Sequence, residues 1–219
     1  MQIKQRLEKM DPLAYPLLKW VIESVGIPIV KLPASQELLF MSTRHQFLFL
    51  TAPSNTEAEF ISARRKYGSA FVFHGSPIGN WHSIIRQGLL LKSDTPQQRN
   101  GAKYVAGIYT SPLYNNACLY SHINLNRIAN TRPIKYQSKE LFKSNIMSTM
   151  KCLALCEVIK SDSLKKQGDV WCISHPAHIC IRLLFVYEDN NNTPININTE
   201  NIHTEIAIRY IMNAYIPWD

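Results

Sequence analysis

The sequence predicts an α+β domain built on a mostly antiparallel sheet. Two observations predict it. Strong strand signals, CLALCEVI (152–159), DVWCI (169–173) and CIRLLFVYE (180–188), cluster in the second half of the chain, and the early helical patterns lie at the other end. The last of these signals is a near-continuous apolar run, as expected of a central strand buried on both faces.

The elements follow in order. The first is a helix that Asp11 can cap, with Pro12 at its first position, an apolar face of Leu13, Leu17, Trp20 and Val21, and a stop at Gly26 and Pro28. Short strands are expected at 27–32 and 46–50, with a turn at 52–55. Thr56, with Glu59 three residues on, has the spacing of a capping box and opens a second helix. Phe60, Ala63 and Tyr67 share its face, and Gly68 ends it. The strand AFVF (70–73) runs into His74-Gly75-Ser76. Asn80 then starts a short helix with Trp81, Ile84 and Ile85 turned inward, closed by Gly88. The polar stretch 91–104 reads as a long loop, of the length that lids and binding loops have. A strand at 107–111 and a short helix at 114–121 follow. The Asn- and Lys-rich stretch from His122 to Met150 reads as an insertion with a helix near its end. A turn at 190–193 and a helix at 201–215 complete the chain. No repeat or linker interrupts it, so one domain over 1–219 is expected, with a helical segment at 1–26.

Composition narrows the classes. Apolar residues make up 46% and charged residues 18%, enough for a real core and against general disorder. No run approaches the ~20 apolar residues that span a bilayer, and the first ten residues lack a secretory h-region. The net charge of +8 suits phosphate-bearing partners, yet the cations are scattered apart from Arg64-Arg65-Lys66, so nucleic acid is not an expected partner. Five cysteines without a secretion signal point to reduced thiols and an intracellular setting, cytoplasmic or nuclear. Cys172, His175, His178 and Cys180, with Cys152 and Cys156 upstream, are donors that suit zinc. There is no CxxC pair, however, and Cys152 and Cys156 sit four apart in an apolar strand, on one face. Small buried thiols are the stronger reading, and no metal is expected.

One region carries chemistry. FVFHGS sets a histidine and a glycine at a strand end, where glycine lets a ligand approach the backbone. GIYTSP places Tyr109 in a second strand, and Tyr120 follows. Taken singly, each residue at a strand end fits a structural role better than a functional one, while together with His74 these tyrosines could make an aromatic cleft suited to a flat ring.

The combination of FHGS, NWHSIIRQGL, GIYTSP and a tyrosine eleven residues beyond Tyr109 resembles the catalytic domain of the diphtheria-toxin-like, poly(ADP-ribose) polymerase superfamily. It is most similar to the mono-ADP-ribosyltransferase members of the PARP6/PARP8 type. The resemblance extends over MDPLAYPLLKWVIESVGIPIVKLP, RHQFLFL, ARRKYGSAFVFHGS, CLALCEVI and RLLFVYED, nearly the whole chain apart from His122 to Met150. It implies a split antiparallel sheet with flanking helices, NAD+ as co-substrate, no metal, and an acceptor protein that includes the chain itself among its candidates. It implies that His74 bonds the adenosine ribose. Gly75 holds the nicotinamide amide by its backbone, and Ser76 lines the same pocket. Tyr109 packs beside the nicotinamide ribose, Tyr120 stacks on the ring, and the 91–104 loop covers the donor.

Two departures qualify that expectation. Polymerising members carry a glutamate in the strand near the C-terminus, and aligned on FVYED that position is Leu183. Leucine can neither hold a ribose hydroxyl nor activate an elongating acceptor, so single transfer is the most to expect. Ala117 stands where the family places a serine that bonds the nicotinamide amide. The missing neutral hydrogen bond is worth ~0.5–1.5 kcal/mol.

Overall fold

The computed structural model describes residues 3–53, 56–91, 106–121, 150–187 and 196–216. The loop expected beyond Leu91, the segment 122–149 and the turn at 190–193 lie outside them.

Within the segment expected at 1–26, a further helix, α1 (Ile3–Met10), precedes the first expected helix, which is α2 (Ala14–Glu23). The two are separated at Asp11, whose carboxylate accepts the Leu13 N–H at 2.7 Å. Asp11 thus braces the turn before α2, whose N-cap is Leu13 with no side-chain bond, and is not the cap that was expected. The apolar face is not buried either: Leu13, Leu17 and Trp20 are exposed, and α2 buries no residue. Periodicity fixes which residues share a face, and only a partner decides whether that face is covered.

β1 (Ile29–Lys31) pairs with β2 (His45–Phe49), and two single-turn 3-10 helices link them. α3 (Glu57–Tyr67) begins at Thr56, but the capping box is not made. The Thr56 hydroxyl bonds the Pro53 carbonyl, and Glu59 turns toward His175. Phe60 and Ala63 are buried as expected, Tyr67 is exposed, and Gly68 ends the helix in the left-handed region at φ 70°. β3 (Ser69–Gly75) continues through His74 and Gly75, followed by α4 (Trp81–Gln87), β4 (Ile108–Thr110) and α5 (Tyr114–Cys118). β5 (Lys151–Ile159), β6 (Leu164–Gln167), β7 (Val170–Ile173), β8 (Ile179–Tyr187) and α6 (Ile202–Tyr215) complete the fold. β6 was not expected, because LKKQ has no apolar alternation to announce a strand.

Every strand pairing is antiparallel, in two sheets of order β1-β2-β8-β5-β3 and β4-β7-β6. The α+β, split-sheet expectation matches. β5 and β8 occupy the centre of the larger sheet, which is why their sequences are apolar almost throughout. Alternate residues divide the core between two faces. Phe71, Phe73, Leu155, Leu183 and Phe185 pack beneath α6 with Tyr114 and Ala117 of α5. Val72, Ala154, Cys156, Val158 and Leu184 pack on the opposite face against Trp81, Ile108, Trp171 and Ile173. That second layer is the contact between the two sheets, and β3 leads into it at His74.

Candidate active site at the end of β3

β3 and β4 meet at one bridge, Phe73 opposite Ser111, with reciprocal backbone bonds of 2.7 and 3.0 Å. One residue on, His74 Nδ1 lies 2.9 Å from the Tyr109 carbonyl oxygen. A carbonyl only accepts, so Nδ1 carries the proton, and in the neutral ring Nε2 is left with its lone pair. Burial pushes the His74 pKa below the ordinary histidine value, against a smaller upward pull from the Tyr109 bond. The ring is held from its other side by Trp81, edge-on at 6.5 Å and 73°. Trp81 is in turn fixed by its indole N–H, which donates to the Ser76 carbonyl at 2.9 Å. The imidazole is thus neutral, oriented, and supplied with one acceptor nitrogen.

Gly75 has the opposite parity and faces α5. A Cβ there would sit 1.9 Å from the Ala117 carbonyl oxygen and 3.2 Å from the Ser121 nitrogen. No real side chain tolerates that approach, so glycine is required by packing whatever else it does. The Ala117 carbonyl also accepts the Tyr120 N–H at 3.1 Å, which ties Tyr120 to the same junction with its side chain 52% exposed. Ser76 is buried, and its hydroxyl accepts from Asn80 Nδ2 at 2.9 Å. It locks the turn into α4, and Asn80, expected as a helix cap, serves that lock. Tyr109 is part-buried between Ile108 and Thr110, both buried, with the Thr110 hydroxyl donating to the Trp171 carbonyl at 3.1 Å.

His74, Gly75, Ser76, Tyr109, Ala117 and Tyr120 therefore belong to one contiguous junction of β3, β4 and α5. Two further residues join it. Trp81 orients His74, and Ser121, 1% exposed, lies against Gly75 with its hydroxyl on the Cys118 carbonyl at 2.7 Å. The sequence marks Trp81 only as an inward-facing helix residue. Nothing in the spacing marks Ser121.

Leu183 is placed differently. It pairs with Leu155 and Leu48 in the row that includes Phe73, fully buried beneath α6. Directly paired residues share a face, so Leu183 lies on the opposite side of the sheet from His74. The residue in the row of His74 and Ala154 is Leu184. Either register puts leucine, and no carboxylate, at the position in question.

No disulfide joins the cysteines, and Cys152 and Cys156 share one apolar face as expected. Burial raises both, Cys152 to about 11 and Cys156 well above its usual value, so both stay protonated. Cys172 pairs with Tyr109 across β4 and β7, while Cys180 packs with Phe60 under α3. The Cys172–His175–His178–Cys180 donor set is not assembled. Among the described residues the histidines gather instead with Glu59.

A split antiparallel α+β fold is consistent with an ADP-ribosyltransferase catalytic domain. No family model matches the chain. It is 43% identical over 230 residues, 97% of its length, to protein mono-ADP-ribosyltransferase PARP8 of Homo sapiens, and 43% identical over 227 residues to the protein of the same name in Mus musculus. The chain spans about a quarter, 26%, of each. That similarity, over nearly the whole chain, supports a PARP8-like catalytic domain.

Proposed function

We propose that this domain transfers a single ADP-ribose from NAD+ to a protein side chain and releases nicotinamide. The observation that carries the reading is the His74–Tyr109 junction with Gly75 packed on α5, in a chain 43% identical to a mono-ADP-ribosyltransferase.

The chemistry asks for what this junction offers. The nicotinamide of NAD+ is already cationic, so the bond to ribose breaks with the electron pair going to a neutral leaving group, and no strong acid is needed. The protein must hold the donor in a reactive geometry and exclude water. His74 Nε2 accepts a bond from an adenosine ribose hydroxyl. The Gly75 backbone takes the nicotinamide amide, Tyr120 stacks on the ring and Tyr109 packs beside the ribose. The acceptor nucleophile then attacks the ribose carbon and loses its proton.

Leucine at both 183 and 184 supports single transfer, since no carboxylate stands there to activate a ribose hydroxyl on an attached unit. The acceptor is a protein, with automodification included. Five cysteines with no disulfide among them support an intracellular setting, cytoplasmic or nuclear, and among the described residues no helix is long and apolar enough to cross a membrane.

Labelled NAD+ tests the reading. The wild-type chain acquires label, and His74→Ala and Tyr109→Ala lose it. Label persisting in both variants sinks the site assignment. A second reading, a donor-binding module without transfer, is favoured by Ala117 in place of a serine. It predicts NAD+-dependent thermal stabilisation with no label.

A further inference from the structure

The unexplained cluster lies on α3 and the turn between β7 and β8. Glu59, His175 and His178 each offer one ligand atom, and these three atoms lie within 4.8 Å of one another. His175 Nε2 is already 3.4 Å from Glu59 Oε1, close to the ~3.3 Å edge of a tetrahedron drawn from ordinary zinc–nitrogen and zinc–oxygen bond lengths. The two imidazoles are stacked at 4.5 Å between centroids and 23° between planes.

A second observation points the same way. His178 Nδ1 lies 2.8 Å from the Ser161 hydroxyl and 2.8 Å from the Ser163 hydroxyl. Metal-bound histidines ordinarily donate one ring N–H in such an outer bond, and with Nδ1–H donating to the serine oxygens the Nε2 lone pair is left for the ion. The turn itself, His175-Pro176-Ala177-His178, is a short 3-10 segment whose His178 N–H bonds the His175 carbonyl at 3.0 Å. The spacing of the pair is therefore set by backbone. His175 and Glu59 are 48% and 55% exposed, so an ion has a direct path in.

We propose that Glu59, His175 and His178 form a site for a divalent transition cation of the zinc class, with water completing the coordination. Two imidazoles and one carboxylate are a borderline donor set that suits zinc and not the hard, all-oxygen cations. The ion clamps α3 to the β7–β8 turn. Its role is structural, since its ligands belong to none of the residues at the His74 junction. The thiols of Cys172 and Cys180, close in sequence, are not part of it.

Zinc chloride alone is the probe. Calorimetric titration of the chain should give one zinc per molecule. His175→Ala and His178→Ala should each weaken binding at least tenfold, and Glu59→Gln by a similar factor. The double variant Ser161→Ala/Ser163→Ala leaves all three ligands in place and should still weaken binding about tenfold through loss of the outer bonds. Cobalt substituted for zinc should show visible d–d bands without a thiolate charge-transfer band. Zinc should raise the melting temperature of the wild type and not of His178→Ala. The proposal is overturned by no zinc binding to the wild type, by affinity unchanged in both histidine variants, or by a site abolished by Cys118→Ser with the histidines intact.

Discussion

The two ends of β3 hold polar chemistry of opposite kinds. At the Ser69 end, Glu157 is fully buried, accepting from the Ser69 hydroxyl at 2.6 Å and from Arg182 Nε at 2.7 Å, with Arg64 Nη1 at 3.9 Å. Five residues along, about 16 Å at strand rise, the His74 end has a neutral imidazole, a glycine and backbone carbonyls. A cleft of about 350 Å³ opens at the charged end, lined by Arg64, Arg65, Gly68, Ser69, Lys160 and Arg209. It looks inviting to an anion, yet Arg209 bonds Glu205 at 2.7 Å and Arg64 stands beside Glu157, so much of its charge is answered from within. Among the described residues the neutral end lacks a comparable charge but keeps an oriented acceptor nitrogen, His74 Nε2. Buried charge here holds the sheet together, whereas the groups proposed to hold the donor are neutral and cheap to desolvate.

The largest expected effect comes from breaking the charged end. Glu157→Ala leaves the Arg182 guanidinium buried beside an empty site, and losing one partner of a buried pair costs about 3–5 kcal/mol. Urea denaturation should show that loss, while NAD+ affinity of the protein that remains folded stays at the wild-type value. A parallel fall in affinity would mean that the two ends act as one unit. Gly75→Ala attacks the neutral end by shape alone. Its methyl meets the Ala117 carbonyl, so β3 and α5 must move apart, at about 1–3 kcal/mol. Here stability and NAD+ binding should fall together, and binding that survives the methyl would separate the Gly75 backbone from the donor.

The same contrast explains what the sequence made legible. The apolar runs at 152–159 and 180–188 announced β5 and β8, because a strand buried on both faces has no polar residue to disguise it. His74, Gly75 and Tyr109 were nominated by their positions at strand ends and by family resemblance, and the structure brings them together. The exposed Leu13, Leu17 and Trp20 show the limit of that reading, since periodicity cannot say whether a partner is present. Thr56 and Glu59 had the spacing of a cap but found better partners across the fold, in Pro53 and His175. Glu157 lay unmarked inside CLALCEVI. Its partners Ser69, Arg182 and Arg64 are distant in sequence, and only the β3-β5-β8 register assembles them.

A smaller effect should appear on acidification. The His74 pKa is lowered in the native state and sits near 6.5 in the unfolded chain. Above that value both states bind no proton there and the group is silent. As pH falls through about 6.5 the unfolded chain takes up a proton that the native ring refuses, so stability declines until the lower native pKa is reached. His178 is lowered as well, chiefly by burial, and adds a decline of the same sign. Melting temperatures between pH 7.5 and 5.5 should therefore drop less in His74→Gln than in the wild type. An unchanged slope would place the acid sensitivity at the His178 cluster and leave the neutral end indifferent to pH.

The finest test adds a hydroxyl at Ala117→Ser. Ala117 is 3% exposed, with its carbonyl already shared by Tyr120 and pressed against Gly75. A serine hydroxyl there would have to share the Leu113 carbonyl, which already accepts the Ala117 N–H at 3.3 Å. Without donor the new hydroxyl should destabilise the fold slightly, at the lower end of the ~1–3 kcal/mol an unsatisfied buried group costs. With NAD+ bound, the nicotinamide amide supplies the missing partner, and the gain of ~0.5–1.5 kcal/mol amounts to as much as a tenfold rise in affinity. The signature is thus a variant less stable alone and better stabilised by NAD+ than the wild type. Both shifts can be read in one thermal-melt series against NAD+ concentration. If the serine lowers stability but leaves the NAD+ response unchanged, the amide does not reach α5, and the donor lies farther along the β3–β4 junction than Tyr120 and Gly75 imply.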